Sequence, residues 1–586
     1  MRISLTYEII FFIALLFASC GFFSCKKNPG DPAPPTPPQD SIPVTPPVDP
    51  NPVDPATAST IGFFLDDWQP KIFTIPSFTD TAMPSSTTVT VNIDAGTIIT
   101  KVPGNISGQN ANMWMTQMLT EPLLMTYLTT LRPPLIRLPG GSLSDMYFWN
   151  APNGTPPADA PSTLKDANGA DVDADYWYGT NSDNWTITVD NFYNVLQQTG
   201  SQGMITVNYG YARYGTGADP VAAAAHMAAD WVRYDNGRTK YWEVGNEDNG
   251  TWEAGYRIDV SKNKDGQPEI ITGDLYGRHF NVFADSMRAA AAENGKAIFI
   301  GAQLLEKEPE SWQTNTDKTW NSGVLGQVNS SADFYIIHSY YTPYQTNANA
   351  AVILNTAVDN TKAMMSYLQS TFTKYGATPK PVALTEYNIT SEGSMQQVSF
   401  VSGMHAVIVM GEVLQNKYGM ASRWDLANGW SNGNDMGLFN NGDEPGVVKW
   451  NARPAFYYMY YFQKMIGDRS LKSSVSGSND ILSFASSFSS GEKAVILVNK
   501  GTAAQNVTIT SNATVGKRFY YYRLTGGTDN GEFSRKVFVN GKGPDIISGG
   551  PSSYTTLKAY SSETKNGIKV ALLPRSVVYV VIDKKG

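Results

Sequence analysis

At 586 residues, 41% of them hydrophobic and 12% aromatic, the chain is too long for one compact core and apolar enough to fill two. A formal net charge of −8, only 16% charged residues and no run of Lys or Arg argue against nucleic acid as a ligand. The cysteines are Cys20 and Cys25 alone, and the four histidines show no ligand spacing, so neither a disulfide nor a Cys/His metal centre is expected after Lys26. No metal or cofactor is implied, with oxygen-ligated calcium left open.

Residues 1–25 carry Arg2 and the apolar run IIFFIALLFASC, the pattern of an export signal. Small Ala18 and Ser19 before Cys20 resemble a lipoprotein signal-peptidase site, which would make Cys20 the lipidated first residue; Cys25, behind bulky Phe23, is the alternative. Residues 26–57 include twelve prolines and read as a tether, able to hold a domain up to about 90 Å from its anchor. Residues 58–100, with IGFFLDDWQPKIFTI and TTVTVNIDAGTIIT, read as strands that join a sandwich with C-terminal strands.

From 101 to 465 short apolar runs alternate with helical segments, which predicts a parallel β/α domain. The candidate strands are 104–109, 134–138, 203–208, 239–244, 296–302, 332–338, 380–386 and 420–426, the number that a (β/α)8 TIM barrel needs. Asp219 and Pro220 form an N-cap and N1 pair for one helix, and GRHFNVFADSMRAAAAENG closes another at Gly295. The polar segments 150–186 and 250–275 are long for βα loops and would wall a cleft on the C-terminal face. Residues 466–586 alternate short strands and turns, giving the accessory β-sandwich. The fold class is therefore α/β, a (β/α)8 barrel with a sandwich of C-terminal plus N-terminal strands.

Two carboxylates stand at predicted strand tips, Glu247 after YWEV in strand four and Glu386 at the end of VALTE in strand seven. The barrel fold brings such tips together on one face. Glycosidic hydrolysis needs a proton for the departing oxygen and a carboxylate or activated water for the anomeric carbon, so the pair points to sugar chemistry.

The motifs add a resemblance. Glu at the ends of strands four and seven, with Asn246 before the first, resembles clan A of the glycoside hydrolases. IRLPGGSLSDMYFW at 136–149, KYWEVGNEDNGTWEAGY at 240–256, IHSYYTPY at 337–344 and ALTEYN at 383–388 are similar to segments of family 51, the α-L-arabinofuranosidases. The resemblance implies a retaining barrel with Glu247 as acid/base, Glu386 as nucleophile, Asn246 donating to a sugar 2-hydroxyl and Arg137 beside Glu386. It departs at Thr385 and Tyr387, where the family carries an acidic residue and a Trp, and at the strand-eight region 422–442.

Other candidates rest on position. Tyr340 or Tyr341 would hydrogen-bond the nucleophile, since a one-residue register change swaps which points inward. His338 lines the pocket or packs in the core. Asn208, at the end of strand three, would meet sugar hydroxyls; Trp424 and Trp430 are stacking platforms or buried packing; Gly140 and Gly141 would bring backbone close to substrate. The expected partners are a polysaccharide or oligosaccharide substrate and, through the lipid anchor alone, the membrane of a bacterial cell envelope. Alternatives are a clan A endo-hydrolase of agarase, xylanase or glucuronidase type, and a non-catalytic surface glycan-binding lipoprotein.

Overall fold

The structure, a computed structural model, describes residues 49–585. The export signal, Cys20, Cys25 and the first part of the tether lie outside the described residues.

Eight parallel strands close into a barrel: β1 (Gly108–Asn110), β2 (Leu135–Leu138), β3 (Gln202–Val207), β4 (Tyr241–Val244), β5 (Phe299–Gln303), β6 (Phe334–Tyr340), β7 (Val382–Asn388) and β8 (Met420–Arg423). Each pairs with the next, and β8 returns to β1. Most of these strands read as near-continuous apolar runs because both faces are covered, side chains filling the inside and helices packing outside; β1, Gly-Gln-Asn, and the end of β8, Ser-Arg, are buried polar exceptions. Helices α1 (Pro122–Leu131), α2 (Val189–Thr199), α3 (Pro220–Asp235), α4 (Gly273–Glu293), α5 (Asn315–Val328), α6 (Ala350–Tyr375), α7 (Phe400–Gln415) and α8 (Pro454–Met465) follow the eight strands in turn.

Local chemistry sets the helix ends. Asp219 accepts from Ala222 N at 2.9 Å and Pro220 opens α3 without needing a donor, while Asn236 closes it in the left-handed conformation. Between β6 and β7 the register shifts after Ile337, which sets His338 opposite Glu386. A bulge of this kind re-aims side chains at a strand's end.

The N-terminal segment differs from its strand reading. Gly62–Leu65 is a 3-10 turn, and Ile61 and Phe64 pack with Leu135, Met204, Tyr241, Phe334 and Met420 across the N-terminal end of the barrel. An apolar run this short fits either a strand or a plug, and the open barrel floor decides for the plug. Only Phe78–Asp80 and Val89–Lys101 enter the sheet.

That sheet runs from Phe78–Asp80 through Ala559–Glu563, Val515–Gly526, Ser576–Lys584, Lys493–Asn499, Ile481–Ser487, Arg469–Ser476, Val89–Lys101 and Gln505–Ser511 to Ile568–Leu572. It folds around its own core of Val91, Leu471, Val495, Phe519, Val580 and Val570. Its other face joins the barrel: Tyr522 stacks near Tyr461 of α8, and Tyr579 donates to Tyr458 O at 2.8 Å. The FYYYRL strand is thus buried on both sides, alternate rings serving two cores.

Residues 49–57, read from sequence as the end of a free tether, lie against the sandwich. Asp54 pairs with Arg469 at 2.6 Å and with Lys101 at 3.5 Å. Proline content excludes a packed core of its own, yet charged side chains let the extended chain dock. Among the described residues, no helix is long and apolar enough to cross a membrane.

Candidate active site

Arg137, in β2, has no solvent exposure, and a buried guanidinium must place all its donors. Nε pairs with Glu243 of β4. Nη1 donates to Asn110 Oδ1 and to Glu386 Oε1, each at 3.0 Å, and Nη2 donates to Asn246 Oδ1 at 2.9 Å. Groups from β1, the tip of β4 and β7 are thereby fixed around one side chain.

Glu386 is buried, and its second oxygen, Oε2, accepts from the Tyr340 hydroxyl at 2.9 Å. Opposite it, β4 ends at Gly245, whose φ of 73° turns the chain. Glu247 follows with φ 49°, a strained value for a residue with a Cβ and one typical of functional sites. Its Oε1 lies 2.9 Å from His338 Nδ1 and its Oε2 accepts from Trp252 Nε1 at 3.2 Å. One oxygen of Glu247, one of Glu386 and a ring nitrogen of His338 all lie within 4.8 Å of one another.

The electrostatics divide the pair. Burial pushes Glu386 above the usual carboxylate range; the charges of His338 and Arg137 oppose that rise and the Glu247 charge adds to it. Burial also acts on Glu247, but the hydrogen bond and charge of His338, with help from Trp252 and Arg137, bring it below its ordinary value. His338 is itself raised: burial favours the neutral ring, and the carboxylates on either side outweigh it. A protonated His338 donates to Glu247 through Nδ1 and to Thr385 Oγ1, 3.0 Å away, through Nε2.

A ring of further buried acids stands behind Glu247. Asp145 accepts from the backbone N–H groups of Tyr209, Gly210 and Asn246 at 3.0–3.1 Å, and burial still pushes it up to about 7. Glu253 Oε1 accepts from Ser142 Oγ at 2.7 Å and from Asn246 Nδ2 at 3.0 Å, while its Oε2 is buried without a partner. Burial and the neighbouring Asp145 and Glu247 charges hold Glu253 well above the glutamate range. A neutral Glu253 and the Arg137 fork together fix the orientation of the Asn246 amide, leaving one Nδ2 hydrogen free to donate.

The structure thus brings together Glu247, Glu386, Asn246, Arg137, Tyr340 and His338. Other candidates lie elsewhere, Tyr341 as the alternative to Tyr340 and the two tryptophans in the buried packing that was the alternative to stacking. Tyr341 points to the opposite side of β6, where it bonds Thr361 Oγ1 at 2.8 Å and meets the edge of His405, as alternation along a strand requires. Asn208 spends its amide on Tyr147 O, Tyr214 Oη and Tyr211 N, fixing the turn into Gly210–Tyr214. Trp424 is 8% exposed and lies on Gly140 and Gly141, where a Cβ would stand 2.7 Å from its ring. Those glycines therefore make room for a tryptophan rather than for a sugar. Trp430 is enclosed between Arg453 and Arg535.

Sequence reasoning missed Asn110, Glu243, Asp145, Glu253 and Trp252. Glu243 carried a signal: an acid inside the apolar run YWEV requires a buried cation, and Arg137 was the candidate. Among the described residues, Glu247, His338 and Glu386 form the one cluster with ligand atoms close enough to share a cation. Hydrogen-bond donors already occupy those atoms, from Arg137, Tyr340, Trp252 and His338.

Comparison with known proteins shows similarity to arabinofuranosidases over part of the sequence and in fold. A family profile described as the α-L-arabinofuranosidase 1 domain matches residues 127–357, a stretch that includes Arg137, Glu247 and His338 but stops before Glu386. An intracellular exo-α-(1→5)-L-arabinofuranosidase of Bifidobacterium longum is 23% identical over 242 residues, 40% of this chain. The match spans only 37% of that relative's length. The solved α-L-arabinofuranosidase of Thermotoga maritima, in complex with arabinose, aligns with a TM-score of 0.57 at 16% identity, over 84% of this chain and 99% of its own. A family 44 xyloglucanase of Paenibacillus polymyxa aligns at 0.53 and 12% identity, over 85% and 100%. At these identities the solved structures establish a shared fold.

Proposed function

We propose that this chain is a retaining glycoside hydrolase of the α-L-arabinofuranosidase-like class, with Glu386 as nucleophile and Glu247 as acid/base. The observation that carries the reading is the approach of one oxygen of Glu247 and one of Glu386 to within 4.8 Å, a contact that favours the narrower of the two carboxyl spacings. Retaining pairs stand about 5–5.5 Å apart, whereas inverting pairs leave about 6.5–9.5 Å for a water. The arabinofuranosidase profile over 127–357 supports the sugar class.

In the first step Glu386 Oε attacks the anomeric carbon as the bond to the leaving oxygen breaks, and Glu247 relays to that oxygen the proton that His338 Nδ1 holds against its Oε1. In the second, Glu247 takes a proton from water, whose oxygen displaces Glu386 from the same carbon. Arg137 and Tyr340 hold three functions at once: they aim Glu386, favour its charge and strip its lone pairs of competing contacts. His338 Nδ1, 2.9 Å from Glu247 Oε1, keeps a proton within reach of the acid/base. Asn246 offers its free hydrogen to a sugar hydroxyl, a contact that strengthens as positive charge develops on the ring.

Hydrolysis assays with Glu386→Gln and Glu247→Gln test this directly. Each should lose roughly 10²–10⁴-fold or more in rate, the Glu247 variant least with an activated aryl leaving group that needs little protonation. Wild-type rates in both variants would sink the assignment.

We further propose a barrel at 101–465 and a sandwich of 466–586 joined by strands from 58–100, behind a lipid anchor at Cys20 on a bacterial envelope. Radiolabelled palmitate incorporation that survives Cys20→Ala would refute that anchor.

A further inference from the structure

Among the described residues, three aromatic side chains are more than half exposed: Trp252 at 64%, Trp312 at 81% and Tyr344 at 77%. They are not scattered. Trp252 lies on the loop after β4, Trp312 on the loop after β5 and Tyr344 on the loop after β6, three neighbouring strands of the barrel. All three loops leave the C-terminal face, where the carboxylate pair sits.

Local contacts hold them near one another and near the pair. Trp252 donates to Glu247 Oε2 at 3.2 Å. Asn249 Nδ2 bonds Asp317 Oδ1 at 2.9 Å, tying the β4 loop to the first turn of α5. From that tie Trp252 is three residues away and Trp312 five, so their backbones lie within about 11 and 18 Å of it. Tyr344 follows Tyr340 by four residues, a span of about 14 Å at most, and Tyr340 bonds Glu386.

Direction follows from chemistry. The acid/base protonates the oxygen of the departing group, so the side of the pocket that Trp252 shares with Glu247 is the leaving-group side. Flat aromatic faces in water match the C–H faces of sugar rings. Among the described residues, the most exposed ring on the loops after β1, β2, β7 and β8 is Trp185, at 48%, and Trp424 is enclosed on Gly140 and Gly141.

Resting on the proposed roles of Glu247 and Glu386, we infer that Trp252, Trp312 and Tyr344 form a leaving-group platform for a polysaccharide chain. The natural substrate is then a sugar attached to a polymer that lies across the β4–β6 loops, rather than a small glycoside.

The test uses the full chain and the double variant Trp312→Ala/Tyr344→Ala. Rates are measured on soluble arabinan, arabinoxylan and xyloglucan and on a 4-nitrophenyl glycoside of the same sugar. The ratio of kcat/KM on the best polymer to that on the aryl glycoside should fall at least tenfold, mainly through KM; a fall of less than threefold overturns the platform, and any larger fall supports it. Affinity electrophoresis in gels carrying the same polysaccharides reads chain binding without catalysis. Retardation of the wild type that the double variant loses supports the platform even if no bond is cleaved, in which case the catalytic reading fails alone. Wild-type migration indifferent to every polysaccharide overturns the platform while leaving the carboxylate assignment to its own assays. Both substituted rings are solvent-exposed, and matching thermal melts verify that the variant is folded.

Discussion

The hydroxyl of Tyr340 lies 2.9 Å from Oε2 of Glu386 and donates to it, although the adjacent ring, Tyr341, faces the helix layer. Tyr340→Phe removes one donor from the ionised nucleophile. A hydrogen bond to a charged group is worth about 1.5–3 kcal/mol, so kcat/KM should fall roughly 10- to 150-fold. Losing a donor to the charged form raises the Glu386 pKa, so the acid limb of the pH profile moves to higher pH. Tyr341→Phe should cost far less, and equal effects of the two would contradict the orientation.

Arg137 compensates two buried carboxylates, Glu243 and Glu386. Arg137→Met leaves Glu243 without a cation and Glu386 with His338 alone, which should cost about 3–5 kcal/mol of stability as well as activity. Denaturant unfolding measures the first and hydrolysis the second. Full stability with activity lost would mean that the guanidinium serves chemistry alone.

Glu253 acts through Asn246 in this account. Glu253→Gln keeps a neutral acceptor at Oε1 and should retain most activity, whereas Glu253→Ala frees the Asn246 amide and lowers kcat. The control is Asn246→Ala, in whose background the Glu253→Ala loss should vanish. An undiminished loss there would make Glu253 a packing residue only.

His405 is buried with Nε2 unpartnered, and burial lowers its pKa from 6.5 to about 3. Between these values the unfolded chain binds a proton that the folded chain does not. The neutral ring therefore contributes stability at pH 6.5 and above, and it is lost as pH falls, at about 1.4 kcal/mol per pH unit. His405→Leu should flatten the acid-side stability slope by about that amount, read from unfolding at pH 4–6.5. An unchanged slope would show that His405 does not titrate as burial requires.

Much of the barrel was legible because most of its strands are short apolar runs punctuated by polar loops, and the carboxylates lie near the tips of two of them. Residue parity decided less. Tyr340 and Tyr341 look alike in sequence; alternation along β6 turns Tyr340 inward with His338, and the extra residue Thr385 in β7 brings Glu386 to face it. Asn208 sits at a strand end, as a sugar-binding residue would, but the following Gly210–Tyr214 helix consumes its amide. Trp424 satisfies every requirement of a stacking platform except a free face, which Gly140 and Gly141 occupy. Ile61 and Phe64 read as strand because a plug and a strand share the same apolar signature. The partners of Arg137 were hidden for a different reason: hydrogen bonds between strands far apart in sequence leave no local pattern.

The central claim is that Glu386 attacks the anomeric carbon while Glu247 protonates the leaving oxygen. Proton NMR during early hydrolysis of an aryl glycoside tests it most directly, by reading the anomer that forms first, before mutarotation. A first-formed product with the substrate's own anomeric configuration is the predicted result. An inverted product would contradict the account.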